Sequence, residues 1–343
     1  MRSPYRKAYN SNIVEAVQLC GWNVLFLSSI YDSPFNVRIF NDDESHNLSI
    51  YGWGLTHGGG NRSKEEYRIQ VHVEQFQLMP NFKTLVLGWW QDVEIFAGFD
   101  VRKHLGQLGY SPSIQVRRDA LQKAALNGVA THSKENQEIV VTFRPDFFVD
   151  YVRNIEDLHN FGESTQDLEE LETVIQKTTE DEDFQVNDKD IEQVSEKRKT
   201  VVQTVTRKVR QAGFQRRVLT AYNHQCAFCS IQLNLIDAAH IVPVAEADST
   251  DYTSNGMALC ALHHRAFDNA LITINDQYET LVSQDKIKQL KVIRRDSGLE
   301  NFIKNLRPMI ALPPAITDRT HAVFIGKANE LRGWRESKII KVN

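Results

Sequence analysis

Between Cys226 and Ile274 two sets of metal-type residues are interleaved. Cys226 and Cys229 form a CxxC, Cys260 and His263 a CxxH, and the loop between the pairs is long enough to fold back. That is the ligand set and spacing of one tetrahedral zinc. With Cys and His filling all four positions, such a zinc keeps no open coordination site and is structural. A second series threads between the first: His240, Asn255, His264 and Asp268. His264 and Asp268 stand four apart and share one face of a helix. An imidazole and a carboxylate on one face suit a divalent cation that also takes waters and a phosphate oxygen. On the same helix His263 points about 100° away from His264, so adjacent histidines serve different metals.

Three elements must position these groups. His240 lies in IDAAHIV, an apolar and β-branched run that reads as a strand. Asn255 and Gly256 form the turn after a polar loop, and HHRAFDNA reads as a short helix. A knuckle at each end clamps a motif that has little core of its own.

The segment from about Arg207 to Ile274 resembles the HNH endonuclease family, whose fold is a β-hairpin and helix gripping a metal, the ββα-metal finger. The resemblance implies that His240 is the general base that deprotonates the attacking water, a task its neutral imidazole suits near pH 7. It implies that Asn255 braces the loop and keeps the base oriented, and that His264 and Asp268 hold a catalytic magnesium or manganese. Many members carry a metal-binding Asp or His immediately before the base, where this chain has Ala239. Asp237 is another candidate ligand, although strand alternation sets it on the face opposite His240. The AAHI form resembles a restriction-type branch of the family.

The chain before this segment changes character several times. NIVEAVQLCGWNVLFLSSI passes from helical spacing to an apolar run, and FNVRIFN follows as an alternating strand. Three consecutive glycines, Gly58 to Gly60, lie between apolar or alternating segments; they serve either as a hairpin turn or as a close backbone approach to phosphate, with Arg62 and Lys64 beside them. TLVLGWWQDVEIFAGFDV reads as two strands joined at Gln91 and Asp92, and their aromatics suit a core or a cage for a flipped base. SPSIQVRRDALQKAALNG reads as a helix started by its serines and ended by Gly128. EIVVTFRPDFFVDYVRNIEDLHNFG gives a strand broken at Pro145 and a closing helix.

Charge is segregated. The chain carries −4 overall, yet residues 163–196 hold thirteen acidic residues against Lys177 and Lys189, leaving +7 on the remainder. That stretch reads as a linker, disordered or a solvated helix, or as a mimic of nucleic acid that covers the basic arm. Residues 197–217 follow with eight cations and no acid, ending in Arg216 and Arg217, which read as DNA contacts. No run of eighteen apolar residues and no secretory signal is present, and three of four cysteines fall in the metal-type set. A cytoplasmic protein with no membrane partner is expected.

The fold class expected is α+β: a mixed α/β recognition domain over 1–162, an acidic linker over 163–196, and a zinc-stabilised ββα-metal nuclease domain with C-terminal helices over 197–343. WGLTHGGGNRSKEEYRIQ resembles the N-terminal domain of HNH restriction enzymes encoded beside DNA methylases. That likeness implies Arg62, Lys64 and Arg68 as the residues nearest DNA and a DNA methyltransferase acting alongside. The function expected is metal-dependent hydrolysis of double-stranded DNA in restriction, by a homodimer or by two successive nicks. Two alternatives stand beside it. One is a modification-dependent nuclease in which Trp89 or Trp90 holds a flipped base; the other is a zinc-containing DNA-binding protein with a lapsed site.

Overall fold

The computed structural model describes residues 4–57, 63–110, 112–161, 164–181, 184–246, 249–334 and 339–342. The chain forms two compact units, Met1–Glu180 with Gln185–Val209, and Arg210–Asn343 with Asp181–Phe184.

The first unit opens with helix α1 (Pro4–Leu19), followed by strands β1 (Asn23–Phe26), β2 (Phe35–Phe40), β3 (Ser45–Gly54), β4 (Thr56–His57) and β5 (Glu66–Gln70). Strands β6 (Lys83–Trp90), β7 (Ile95–Phe99) and β8 (Ser113–Arg117), helix α2 (Arg118–Asn127), and strands β9 (Val129–Ser133) and β10 (Ile139–Phe143) follow. Seven strands make one sheet in the order β1-β2-β3-β6-β7-β10-β9, with β4-β5-β8 a smaller sheet. Only β3 and β6 pair in parallel among these neighbours. Strands β6, β7 and β10 are buried almost throughout, which is why TLVLGWW, IFAGF and IVVTF are continuous apolar runs rather than alternations.

Three expectations change here. The serine-rich start of the predicted helix is strand β8, whose Ile114 and Val116 point inward while Ser113, Gln115 and Arg117 are exposed; the helix begins only at Arg118. Two-residue alternation outweighs the capping preference of serine. The helix does end at Gly128, whose φ of 93° favours glycine. Trp89 and Trp90 do not line a cage: both are buried, Trp89 4.5 Å from the Phe96 ring and Trp90 4.9 Å from Tyr67. The acidic stretch, expected as a linker, contains helix α5 (Thr165–Glu180), after the short helices α3 (Phe148–Arg153) and α4 (Ile155–Asn160). Its Leu168, Leu171, Val174 and Ile175 are buried within the first unit. Asp167 accepts from Ser195 and pairs with Arg198 at 2.7 Å, so one acid of this stretch does meet the basic arm.

The basic arm is helix α6 (Glu196–Ala221), and the change of unit falls within it, at Val209 rather than at 196. In the second unit β11 (Ile236–His240) pairs antiparallel with β12 (Gly256–Cys260), and α7 (Ala261–Asp268) follows directly. Strands β13 (Ile272–Ile274), β14 (Thr280–Ser283) and β15 (Ile339–Lys341) form a three-stranded sheet. Helices α8 (Gln284–Val292), α9 (Leu299–Lys304) and α10 (Ala322–Leu331) complete the unit, Ile287, Ile325 and Ala328 entering the core that holds Phe228, Met257, Leu259 and Phe267. A Cβ on Gly256 would strike Val218 and Phe214, so glycine is what lets α6 lie against the start of β12. No described helix is long and apolar enough to cross a membrane.

Candidate functional site

The hairpin β11–β12 and helix α7 bring both residue series together. Cys226 and Cys229 sit in a tight turn after α6, where Ser230 N–H donates to Cys226 O and Ala227 N–H donates to Ala258 O on β12. Cys260 ends β12 and His263 lies in the first turn of α7. The four ligand atoms all lie within 4.8 Å of one another, a group that could hold a metal ion. A tetrahedral zinc, with bonds of about 2.3 Å to sulfur and about 2.1 Å to nitrogen, sets sulfur–sulfur edges near about 3.8 Å and sulfur–nitrogen edges near about 3.6 Å. Cys229 and Cys260 Sγ are 3.9 Å apart, and His263 Nδ1 is 3.4 Å from Cys226 Sγ and 3.3 Å from Cys260 Sγ. These residues fit the ion. His263 is buried between the rings of Phe228 and Phe302, and burial pushes its imidazole down to about 4. Its neutral form is the one a metal needs.

The second series occupies the other side of α7 and the end of β11. His240 pairs across the hairpin with Gly256, and its ring stacks on Phe214 of α6 with centroids 3.8 Å apart and planes 14° apart. Its Nε2 is 2.7 Å from Asp251 Oδ1. Asp251 is 7% exposed; its Oδ2 forms a 2.6 Å ion pair with Arg210 Nε, whose N–H is not aligned for a hydrogen bond, and its carbonyl accepts from Arg217 Nη2. A cleft of about 320 Å³ opens here, lined by Arg210, Phe214, Asp237, His240, Val244 and Asp251.

Asn255 is fully buried and fastens the loop that leads from His240. Its Oδ1 accepts from Val242 N–H at 3.0 Å, and its Nδ2 donates to Thr250 O at 2.8 Å. Asn255→Ala leaves both partners without that bond and is expected to destabilise the protein by about 2–4 kcal/mol, a buried unpaired group being costly. Urea denaturation checks this, and an unchanged midpoint would contradict it.

His264 is bracketed by two carboxylates, its Nδ1 3.4 Å from Asp237 Oδ2 and its Nε2 3.5 Å from Asp268 Oδ2. The contact with Asp237, then the charge of Asp268, raise its proton affinity above the ordinary imidazole range against the opposing effect of burial. Asp268 also faces Arg332 Nη2 at 3.5 Å, while Arg332 Nη1 donates to Ile241 O. Ala239, immediately before His240, is 1% exposed within the apolar core, where a charged side chain would be costly to bury. Asp237 is exposed on β11 and reaches His264.

The DNA-facing expectations are less gathered. Gly58 to Arg62 lie outside the described residues. Lys64 is exposed, and Arg68 is half-buried in β5, opposite Thr56 and Gln115. Arg216 is exposed, whereas Arg217 is engaged with the Asp251 carbonyl. Asp251 and Arg332 had no signal as site residues in the sequence. Arg210 and Phe214 stand four apart and share a face of α6, which was the available clue.

Residues 46–152 match the family described as methylase-associated X1, and residues 226–275 match the family described as HNH endonuclease. A solved structure titled modification dependent TagI restriction endonuclease is similar over 83% of this chain and 81% of its own, at 12% identity and a TM-score of 0.28. No curated protein matches the sequence.

Proposed function

We infer that this chain, which joins a methylase-associated X1 domain to an HNH endonuclease domain, is a DNA endonuclease of restriction and defence. The observation that carries this reading is the juxtaposition of His240, Asn255, His264 and Asp268 on one hairpin and helix that also hold the Cys226, Cys229, Cys260 and His263 cluster. His240 takes a proton from the water that attacks phosphorus, the P–O3′ bond breaks, and the leaving 3′ oxygen is protonated. Asn255 holds the loop beside the base. His264 and Asp268, with Asp237 within reach of the same imidazole, would hold magnesium or manganese, the oxygen and imidazole donors suiting either. Such a cation would supply charge neutralisation at the phosphate and the leaving oxygen. The raised proton affinity of His264 means that a cation held there would compete with a proton. The cysteine cluster would hold structural zinc.

The first unit, with Arg62, Lys64 and Arg68, would select the site on double-stranded DNA, and Arg216 would add a phosphate contact. Since one finger cuts one strand, double-strand cleavage needs a homodimer or two successive nicks. The name of the N-terminal family supports an enzyme working beside a DNA methyltransferase. The test is digestion of unmodified and methylated genomic DNA in magnesium or manganese, with sequencing of the ends. Cutting of unmodified DNA at a defined site is expected. Cutting of modified DNA alone would transfer the protein to the modification-dependent class, and binding without any cutting to the class of lapsed binders.

A further inference from the structure

We propose that Asp251 positions His240: its carboxylate fixes the tautomer and the orientation of the base, and Arg210 fixes the carboxylate. This rests on the nuclease reading for the role of His240, and on geometry for the rest. Asp251 Oδ1 lies 2.7 Å from His240 Nε2. A carboxylate is an acceptor only, so the proton of the neutral ring sits on Nε2 and the lone pair on Nδ1. Without such a partner an imidazole divides between two tautomers and swings about its side-chain torsions. Here the ring is also held flat against Phe214, 3.8 Å between centroids, so rotation is opposed by packing and the in-plane orientation is set by the carboxylate.

Asp251 is itself held from several directions. Its other oxygen is paired with Arg210 Nε at 2.6 Å, its carbonyl accepts from Arg217 Nη2 at 2.8 Å, and the preceding carbonyl, that of Thr250, accepts from Asn255 Nδ2 at 2.8 Å. The buried asparagine therefore acts on the base through the loop: it anchors Thr250, which presents Asp251, which orients His240. Helix α6 supplies Arg210, Phe214 and Arg217 from successive turns of one face. Its basic residues are thus partly committed to the site rather than to phosphates. A carboxylate on the far nitrogen also stabilises the imidazolium that forms when the ring takes the proton of water.

The full-length protein is compared with Asp251→Asn and Asp251→Glu in three measurements. These are single-turnover plasmid cleavage in manganese, DNA binding by fluorescence anisotropy, and ¹⁵N chemical shifts of histidine, with His240→Gln to assign the signals. Asp251→Asn is expected to lower the cleavage rate by about 100-fold, the scale on which orienting carboxylates act. DNA affinity should change less than threefold, and the His240 nitrogens should lose the pattern of a proton fixed on Nε2. Asp251→Glu should recover part of the rate. Wild-type cleavage by Asp251→Asn, or His240 shifts that are the same in both proteins, would overturn the proposal. If Asp251→Asn does not fold, Arg210→Gln serves: a slower rate with altered His240 shifts supports the proposal, and unchanged shifts oppose it. A wild-type protein that binds DNA but never cuts would defeat the nuclease reading, while the ¹⁵N measurement would still decide whether Asp251 fixes the ring.

Discussion

Stripping the metal from Cys226, Cys229, Cys260 and His263 is expected to unfold the finger. The cluster joins the turn after α6 to the end of β12 and the first turn of α7. A structural zinc contributes about 10–16 kcal/mol of binding free energy in small motifs, against about 5–15 kcal/mol for the whole stability of an ordinary domain. A zinc bound there would therefore contribute as much as the stability of an ordinary domain. Burial pushes the Cys226 thiol up to about 12 and raises Cys229 also, so these two thiols are neutral beside a neutral His263 imidazole when no metal is bound. Each thiolate formed on metal uptake releases a proton, and uptake strengthens as pH rises. Hydrogen exchange with and without a strong chelator reads this directly. Residues 226–274 should lose protection on chelation, and Cys226→Ser should reproduce the loss with less than one zinc bound per chain. Protection that survives chelation would show that the apolar core holds the finger without metal.

His240→Ala is expected to lower the cleavage rate by about 10²–10⁴-fold, the usual contribution of a positioned general base. The fold should survive, because His240 is only half-buried and the ring beneath it, Phe214, remains packed beside Val218 in the core. Asp251 loses one partner but keeps Arg210 and so is not left as an unpaired buried charge. DNA affinity and zinc content should match the wild type, which separates loss of chemistry from loss of structure. Stopped single-turnover assays on a short duplex check the rate, and anisotropy on the same duplex checks binding.

The legible parts of the site were those encoded by spacing. CxxC and CxxH fix two ligands each within a turn, and His264 and Asp268 share a helix face whatever surrounds them. The strand, turn and helix between them follow from an apolar β-branched run, an Asn-Gly pair and a short amphipathic stretch. Asp251 was not legible because it lies in EADSTDYTSN, where Glu246, Asp248 and Asp251 are alike in sequence; only the fold shows that one of them meets His240. Phe214 is hidden among cations, although with Val218 it forms an apolar face of α6 that enters the core. The acids of 163–196 masked Leu168, Leu171, Val174 and Ile175, whose helical spacing marks a buried stripe on α5. Trp89 and Trp90 followed the commoner course for aromatics in a continuous apolar strand and joined the core. The position before His240 is buried, Ala239 packing in the core, and a carboxylate that reaches His264 Nδ1 comes from Asp237, two residues earlier on β11.

The most direct test is nicking of supercoiled plasmid by the full-length protein in magnesium or manganese, run beside His240→Ala. The wild type is expected to give open circles and then linear DNA with 5′-phosphate and 3′-hydroxyl ends, and the variant to leave the supercoil intact over the same time. Intact plasmid with the wild type under every divalent cation, or equal nicking by both proteins, would contradict the assignment of His240 as the base of a DNA endonuclease.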